Sequence, residues 1–238
     1  MCGIAGVYGL EGITDNQTLA DSLVKSIQHR GPDASNTYID ESVVLVHTRL
    51  SILDLDARSN QPFKDPSGRY VLVFNGEIYN FQEVKTELSA YTFRTESDTE
   101  VVLAAWIKWG VDCLHRFNGM FAFSIWDKEK KELHIVRDRM GIKPVYFYQG
   151  DKNFVFGSEL RALLNTGLVP RKLASENLSE YLKYQTVHAP RTMVKNVFLI
   201  PAGSYLKISD ASVTEHSYWK AEEQVDQRKV DATSVKSE

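Results

Sequence analysis

Cysteine is scarce in this chain of 238 residues, which holds two, Cys2 and Cys113. Two cysteines so far apart cannot supply the disulfide framework of a small secreted domain, so two free thiols in a reducing compartment are expected. A basic excess is missing as well. With 28 Lys and Arg against 31 Asp and Glu, the formal charge is -3, and no positive field is available to attract nucleic acid or anionic lipid. No apolar run approaches the roughly 18 residues of a membrane span, and the opening MCGIAGVYG lacks the basic and long apolar regions of a signal peptide. A cytoplasmic location is the expectation. The six histidines have no metal-ligand spacing, and neither a glycine-rich phosphate loop nor a G-x-S-x-G elbow is present.

What is present is enough apolar material, 43% of residues, for one large domain or two small ones. The start, Cys2 to Tyr8, is apolar and β-prone. A helix is expected from about Asn16 to Arg30, because Leu19, Leu23 and Ile27 share one face and Gly31-Pro32 ends the pattern. Short extended runs at Thr37 to Ile39 and Val43 to Thr48 precede a polar loop over Asp54 to Pro62, and the strand Tyr70 to Phe74 leads into Asn75-Gly76. Ser97-Asp98-Thr99-Glu100 has the capping-box pattern ahead of the helical VVLAAWIKW, which places Asp98 at a helix start. The runs Met120 to Trp126, Leu133 to Val136, Val145 to Tyr148 and Phe154 to Phe156 are separated by turn material, the spacing of antiparallel hairpins. Several are apolar at nearly every position, so their sheet should be covered on both faces. The fold class is α+β, with two packed sheets flanked by helices. A short helix from Glu159, another near Ser175 to Tyr184, and strands at Ser204 to Ile208 and Val213 to Trp219 complete the ordered part. Lys220 to Glu238 has isolated valines among charges and reads as a linker or frayed tail.

Cys2 carries the chemistry. If Met1 is trimmed, one residue holds a thiol of pKa about 8.5 and an α-amine of pKa about 7.7 to 8.0, so nucleophile and base are combined. A cysteine taken alone would more often be a small buried hydrophobe. The neighbouring segments decide between the two. Cys2-Gly3-Ile4, His29-Arg30-Gly31-Pro32-Asp33, His47-Thr48-Arg49-Leu50-Ser51-Ile52, Gln61-Pro62-Phe63, Asn75-Gly76-Glu77-Ile78-Tyr79-Asn80, Ser97-Asp98-Thr99-Glu100 and Arg137-Asp138-Arg139-Met140-Gly141-Ile142-Lys143-Pro144 follow in order over most of the first 160 residues. Together they resemble the class II glutamine amidotransferases. Within that group the chain is similar to the glutaminase domain of glutamine-hydrolysing asparagine synthetases.

The resemblance implies an Ntn-hydrolase αββα sandwich with Cys2 as N-terminal nucleophile. It implies that Arg49 holds the α-carboxylate of L-glutamine, a contact that suits a planar guanidinium. The side-chain amide of Asn75 and the backbone N–H of Gly76 would form the oxyanion hole. Asn-Gly after an apolar strand is equally the strongest short-range hairpin signal, which is the rival reading of that pair. Asp98 would take the α-ammonium, assisted by Glu77 and the backbone near Ile52. Arg30, Asp33, Arg137, Asp138 and Lys143 would hold loops around Cys2, and Cys113, in no motif, would be structural.

No metal or organic cofactor is implied for glutamine hydrolysis. ATP and Mg belong to a synthetase domain with an S-G-G-x-D-S loop, which these residues lack. The chain is therefore expected to comprise an amidotransferase domain over 1–208, then a final strand and linker over 209–238 toward a synthetase domain or subunit on other residues. A homodimer stays open as an assembly. An inactive glutamine-binding domain, or a class II amidotransferase feeding another acceptor, are the alternatives.

Overall fold

The computed structural model describes residues 1–210 and 212–224. Twelve strands among them form two six-stranded sheets in which every named pairing is antiparallel. The first sheet has the order β10 (Val197–Leu199), β8 (Tyr146–Gln149), β9 (Phe154–Gly157), β1 (Gly3–Tyr8), β3 (Val43–Arg49), β2 (Ala34–Ile39). The second runs β12 (Ser212–Ser217), β11 (Ser204–Ser209), β7 (Glu132–Arg137), β6 (Gly119–Asp127), β5 (Tyr70–Ile78), β4 (Phe63–Lys64). Strand β12 thus belongs to the second sheet, paired with β11 over six residues.

Three apolar layers separate the elements. Ile4, Val43 and Leu45 meet Val71, Val73, Ala122 and Trp126 between the sheets. Outside the first sheet, α1 (Asn16–Ile27) and α4 (Leu160–Asn165) bury Leu19, Leu23, Ile27 and Leu163 against Ala5, Val7 and Val44. Outside the second, α2 (Phe81–Glu87) and α3 (Asp98–Trp109) pack Val84, Val102 and Leu103 on Leu72, Phe74 and Phe123. Burial on both faces explains why β1 and β3 have no exposed residue, and why β1 and Val43 to Val46 of β3 read as apolar runs. Another short helix, α5 (Leu178–Tyr184), buries none of its residues.

The expected elements are found with shifted ends. Helix α1 stops at Ile27, and Gln28–Arg30 tightens into a 3₁₀ turn before Gly31. Ser97 caps α3 by accepting from Thr99 N at 3.2 Å. Glu100 does not complete the reciprocal half of a capping box. Fully buried, it turns to the preceding loop and accepts from Thr95 N at 2.7 Å and Arg94 N at 3.0 Å. Strands β4 and β10 and helix α2 have no counterpart in the sequence pattern, being too short for periodicity to register. Of the tail expected over 220–238, residues 221–224 form a 3₁₀ turn and residues 225–238 lie outside the described residues.

Candidate active site

Strand β5 makes the site. Its early part lies between β6 and the two-residue β4, which pairs only with Val71 and Leu72. From Val73 onward one edge of β5 has no strand beside it, and its backbone is satisfied by side chains. Phe74 N donates to Gln61 Oε1 at 2.6 Å, Phe74 O meets His47 Nε2 at 3.1 Å, and Ile78 N donates to Asp98 Oδ2 at 3.0 Å. N–H groups two residues apart in a strand point the same way. The Gly76 N–H, midway between Phe74 and Ile78, therefore points off this free edge.

The other side of the ladder agrees. Gly76 lies opposite Phe121, whose N–H and C=O are taken by Asp138 Oδ2 at 3.1 Å and Asp138 N at 2.8 Å. The Gly76–Phe121 pair is thus a non-hydrogen-bonded one, in which the backbones approach most closely. A Cβ on Gly76 would stand 2.5 Å from Met120 O and 2.7 Å from Phe121 Cα, so glycine is required there on steric grounds. Beside it, Asn75 is 1% exposed and its Nδ2 has no hydrogen-bond partner among the described residues. A buried amide left unpaired costs about 1 to 3 kcal/mol, a penalty that a ligand oxygen would relieve. Asn75 and Gly76 are interior to a nine-residue strand, which removes the hairpin reading of the pair.

Cys2, Arg49, Ile52, Asn75, Gly76, Glu77 and Asp98 all line one cavity of about 70 Å³. Cys2 immediately precedes β1, which must run close to β3: a Cβ on Gly3 would sit 2.7 Å from Thr48 Oγ1. The thiol is within 3.4 Å of Leu50 N, and Arg30 Nε donates to Cys2 O at 3.0 Å. Burial pushes the thiol above its ordinary pKa, opposed by the Leu50 N–H, the terminal ammonium and Arg49. Met1 precedes Cys2, so the Cys2 nitrogen is here a peptide amide.

Arg49, at the end of β3, is 6% exposed. Nη1 donates to Asp56 O at 2.9 Å and Asn60 Oδ1 at 2.7 Å, and Nη2 donates to the carbonyls of Leu53 and Asp54. None of these acceptors carries charge. The guanidinium organises the loop after β3, including its 3₁₀ turn Ala57–Ser59, while its charge stays without a counter-ion among the described residues. Asp98, 4% exposed at the first turn of α3, is the mirror case. It accepts from Ile78 N and faces no cation in an ion pair among the described residues. Burial raises its pKa to about 6, with Glu77 adding to the rise and the Ile78 and Thr99 amides opposing it.

Sequence reasoning quoted Gln61 and His47 within motifs but gave them no work. Both hold the free edge of β5, and Gln61 Nε2 also donates to Thr99 Oγ1 at 3.2 Å. Fully buried His47 is kept neutral, its pKa lowered by burial to about 3. These contacts join residues 27 and 38 positions apart, beyond any local pattern. Cys113, in the 3₁₀ turn Gly110–His115 that follows α3, is completely buried, its thiol is pushed strongly up by desolvation, and it is not among the residues lining the cavity. A larger cavity of about 550 Å³ lies at the other end of β1, around Tyr8 and Asp210. It contains none of the candidate residues, and in it Tyr8 pairs with Asp210 and Lys152 with Glu11.

A thiol, two oxyanion-type donors, and buried Arg49 and Asp98 without ion pairs among the described residues suit a small zwitterion with a carbonyl. The relatives have that chemistry in their names. The chain is 37% identical over 227 residues to an asparagine synthetase [glutamine-hydrolyzing] of Bacillus subtilis, covering 93% of this chain and 36% of that protein. It is 30% identical over 236 residues to the amidase chry2 of Gibberella zeae, covering 93% and 35%. The chain thus spans about a third of the length of these relatives. Among solved structures, glutamine phosphoribosylpyrophosphate amidotransferase from B. subtilis superposes with a TM-score of 0.67 at 18% identity, over 92% of this chain and 49% of that one. That likeness carries the fold, an Ntn-hydrolase sandwich. The family model described as a glutamine amidotransferase domain matches residues 1–219, and the chain belongs to that family.

Proposed function

We propose that the chain is the glutaminase part of a glutamine-hydrolysing asparagine synthase, releasing ammonia from L-glutamine for a second, ATP-using domain that amidates aspartate. The observation that carries this reading is the pair of opposite, buried charges without ion pairs among the described residues, Arg49 and Asp98, at the cavity of Cys2. Free glutamine offers a carboxylate to the first and an ammonium to the second, with Glu77 and the backbone beside Ile52 assisting. A protein-bound amide offers neither.

With its ends held, the side-chain amide reaches the thiol. After Met1 is removed, the Cys2 α-amine takes the thiol proton and Sγ attacks the amide carbon. The negative oxygen is received by the Gly76 N–H and by Asn75 Nδ2, which has no hydrogen-bond partner among the described residues. The proton passes to the departing nitrogen, ammonia leaves, and water attacks the thioester to release glutamate. Within this proposal the linker after β12 leads to the synthetase part, and the enzyme works in the cytoplasm, where its thiols stay reduced.

The test is an assay of glutamate, ammonia and asparagine with these residues alone and with a synthetase partner. Alone, they should yield glutamate and free ammonia in equal amounts and no asparagine from aspartate and ATP. Glutamine binding without turnover would overturn the proposal in favour of a regulatory domain. The similarity to an amidase supports a second reading, the same glutaminase feeding another acceptor. Ammonia transfer to an acceptor other than aspartate would establish it.

A further inference from the structure

Lys143 follows the strand β7 turn, and its side chain lines the same cavity as Cys2. It is 6% exposed, yet it forms no ion pair among the described residues. Its Nζ has one partner, Met1 Sδ at 3.3 Å. A thioether is a weak acceptor for an ammonium. The contact is also one that disappears if Met1 is removed. What then remains is a positive charge without a counter-ion among the described residues, beside the new amino terminus.

We infer that Lys143 is a positioning residue for the nucleophile, whose ammonium favours the unprotonated form of Cys2, thiol and α-amine alike. The inference rests on the reading of Cys2 as nucleophile. The sign is the same for both groups: a nearby cation stabilises a thiolate and destabilises an ammonium. This matters because desolvation acts on the thiol in the opposite sense. The other charges facing Cys2 are already engaged or balanced. Arg30, from the turn after α1, donates to Cys2 O and is paired with Glu159. Arg49 from β3 is anchored to the carbonyls of Leu53, Asp54 and Asp56 and to Asn60 Oδ1, and Glu77 of β5 and Asp98 of α3 line the same cavity. Asp138, near the Lys143 backbone, is occupied by the amides of Phe121, Met140, Ile142 and Lys143. Lys143 is the cation at this cavity whose charged group has no partner but Met1 among the described residues.

The side chain can be changed with little disturbance to its loop. The main chain is fixed through Lys143 N to Asp138 Oδ2 at 2.9 Å and Arg137 Nε to Lys143 O at 3.1 Å, neither of which involves the ammonium. Lys143→Met keeps the apolar stem and removes the charge, and Lys143→Arg keeps the charge. The experiment measures the pH dependence of Cys2 alkylation by iodoacetamide in Met1-free protein, read by peptide mass, alongside the pH profile of kcat/KM for glutamine. Lys143→Met should move the alkylation midpoint and the acid limb up by about one pH unit, the size expected of a charge lining the same cavity in a medium of intermediate polarity. Lys143→Arg should restore both. An unmoved midpoint in Lys143→Met, with kcat lowered equally at every pH, would overturn the inference and make Lys143 a packing residue. Should Lys143→Met not fold, Lys143→Gln carries the same comparison. Alkylation needs no turnover, so this outcome is separate from failure of the glutaminase reading.

Discussion

Arg49 and Asp98 stand at one cavity, one on each sheet's side of the sandwich, both almost fully buried and neither neutralised by an opposite charge among the described residues. Such charges are costly in isolation, since burial penalises each ionised group. Asp98 registers that cost directly in its raised pKa of about 6. The arrangement makes sense as a binding site kept ready for a zwitterion, and it can be tested on each charge separately.

For Asp98 the sign of the pH effect is fixed. Its folded pKa lies above the ordinary 3.8, so its contribution to stability is full below pH 3.8 and is lost as pH rises to about 6. Above that range the ionised carboxylate is a burden that glutamine's ammonium relieves. Asp98→Asn, whose amide oxygen can still accept from Ile78 N, should keep or raise Tm at pH 7.5. Its KM for glutamine should rise about 100-fold, the scale of deleting one partner of a buried charge pair. Thermal shift with added glutamine checks both parts: wild type should gain stability and the variant should not. A large fall in Tm without glutamine would make Asp98 a helix cap above all.

Arg49 has two duties, and Arg49→Lys should separate them. An ammonium cannot reproduce the planar fork that reaches the carbonyls of Leu53, Asp54 and Asp56 together with Asn60. The variant should lose Tm as well as glutamine affinity, and limited proteolysis should find cleavage within 53–60 that wild type resists. A raised KM with an unchanged proteolysis pattern would confine Arg49 to the substrate.

Asn75 and Gly76 differ in how they should fail. Asn75→Ala removes an unpaired side-chain donor from the middle of β5, so kcat should fall about 100 to 1,000-fold with Tm nearly unchanged. Gly76→Ala drives a methyl group to 2.5 Å from Met120 O, and the strands must separate, at a cost of about 1 to 3 kcal/mol. Its Tm should fall. Kinetics and calorimetry on the two variants distinguish them, and a stability loss in Asn75→Ala with intact kcat would remove its oxyanion role.

The site was legible in the sequence because its residues sit in contiguous motifs, and the fold because apolar runs and turn material alternate in a regular way. What stayed hidden depends on distant partners. Asn75-Gly76 looks like a turn locally, and only the register with Ala122 and Phe121 of β6 makes it a strand interior. Glu100 follows a hydroxyl at capping-box spacing, but the buried amides of Arg94 and Thr95 attract it more strongly than Ser97 N. Gln61 and His47 gain their roles because β4 ends after two residues and leaves one edge of the later half of β5 without a strand beside it among the described residues. No local periodicity encodes where a neighbouring strand stops.

The central claim is that Cys2, freed of Met1, is the nucleophile. It is tested most directly by treating the protein with an electrophilic glutamine analogue, 6-diazo-5-oxo-L-norleucine, and mapping the adduct by peptide mass. Cys2 shares the cavity of Arg49 and Asp98, while Cys113 is completely buried and does not line it. The account predicts one adduct, on the Cys2 sulfur of a chain lacking Met1, suppressed by glutamine and absent from Cys2→Ala. An adduct on Cys113, or turnover and labelling by protein that still carries Met1, would contradict it.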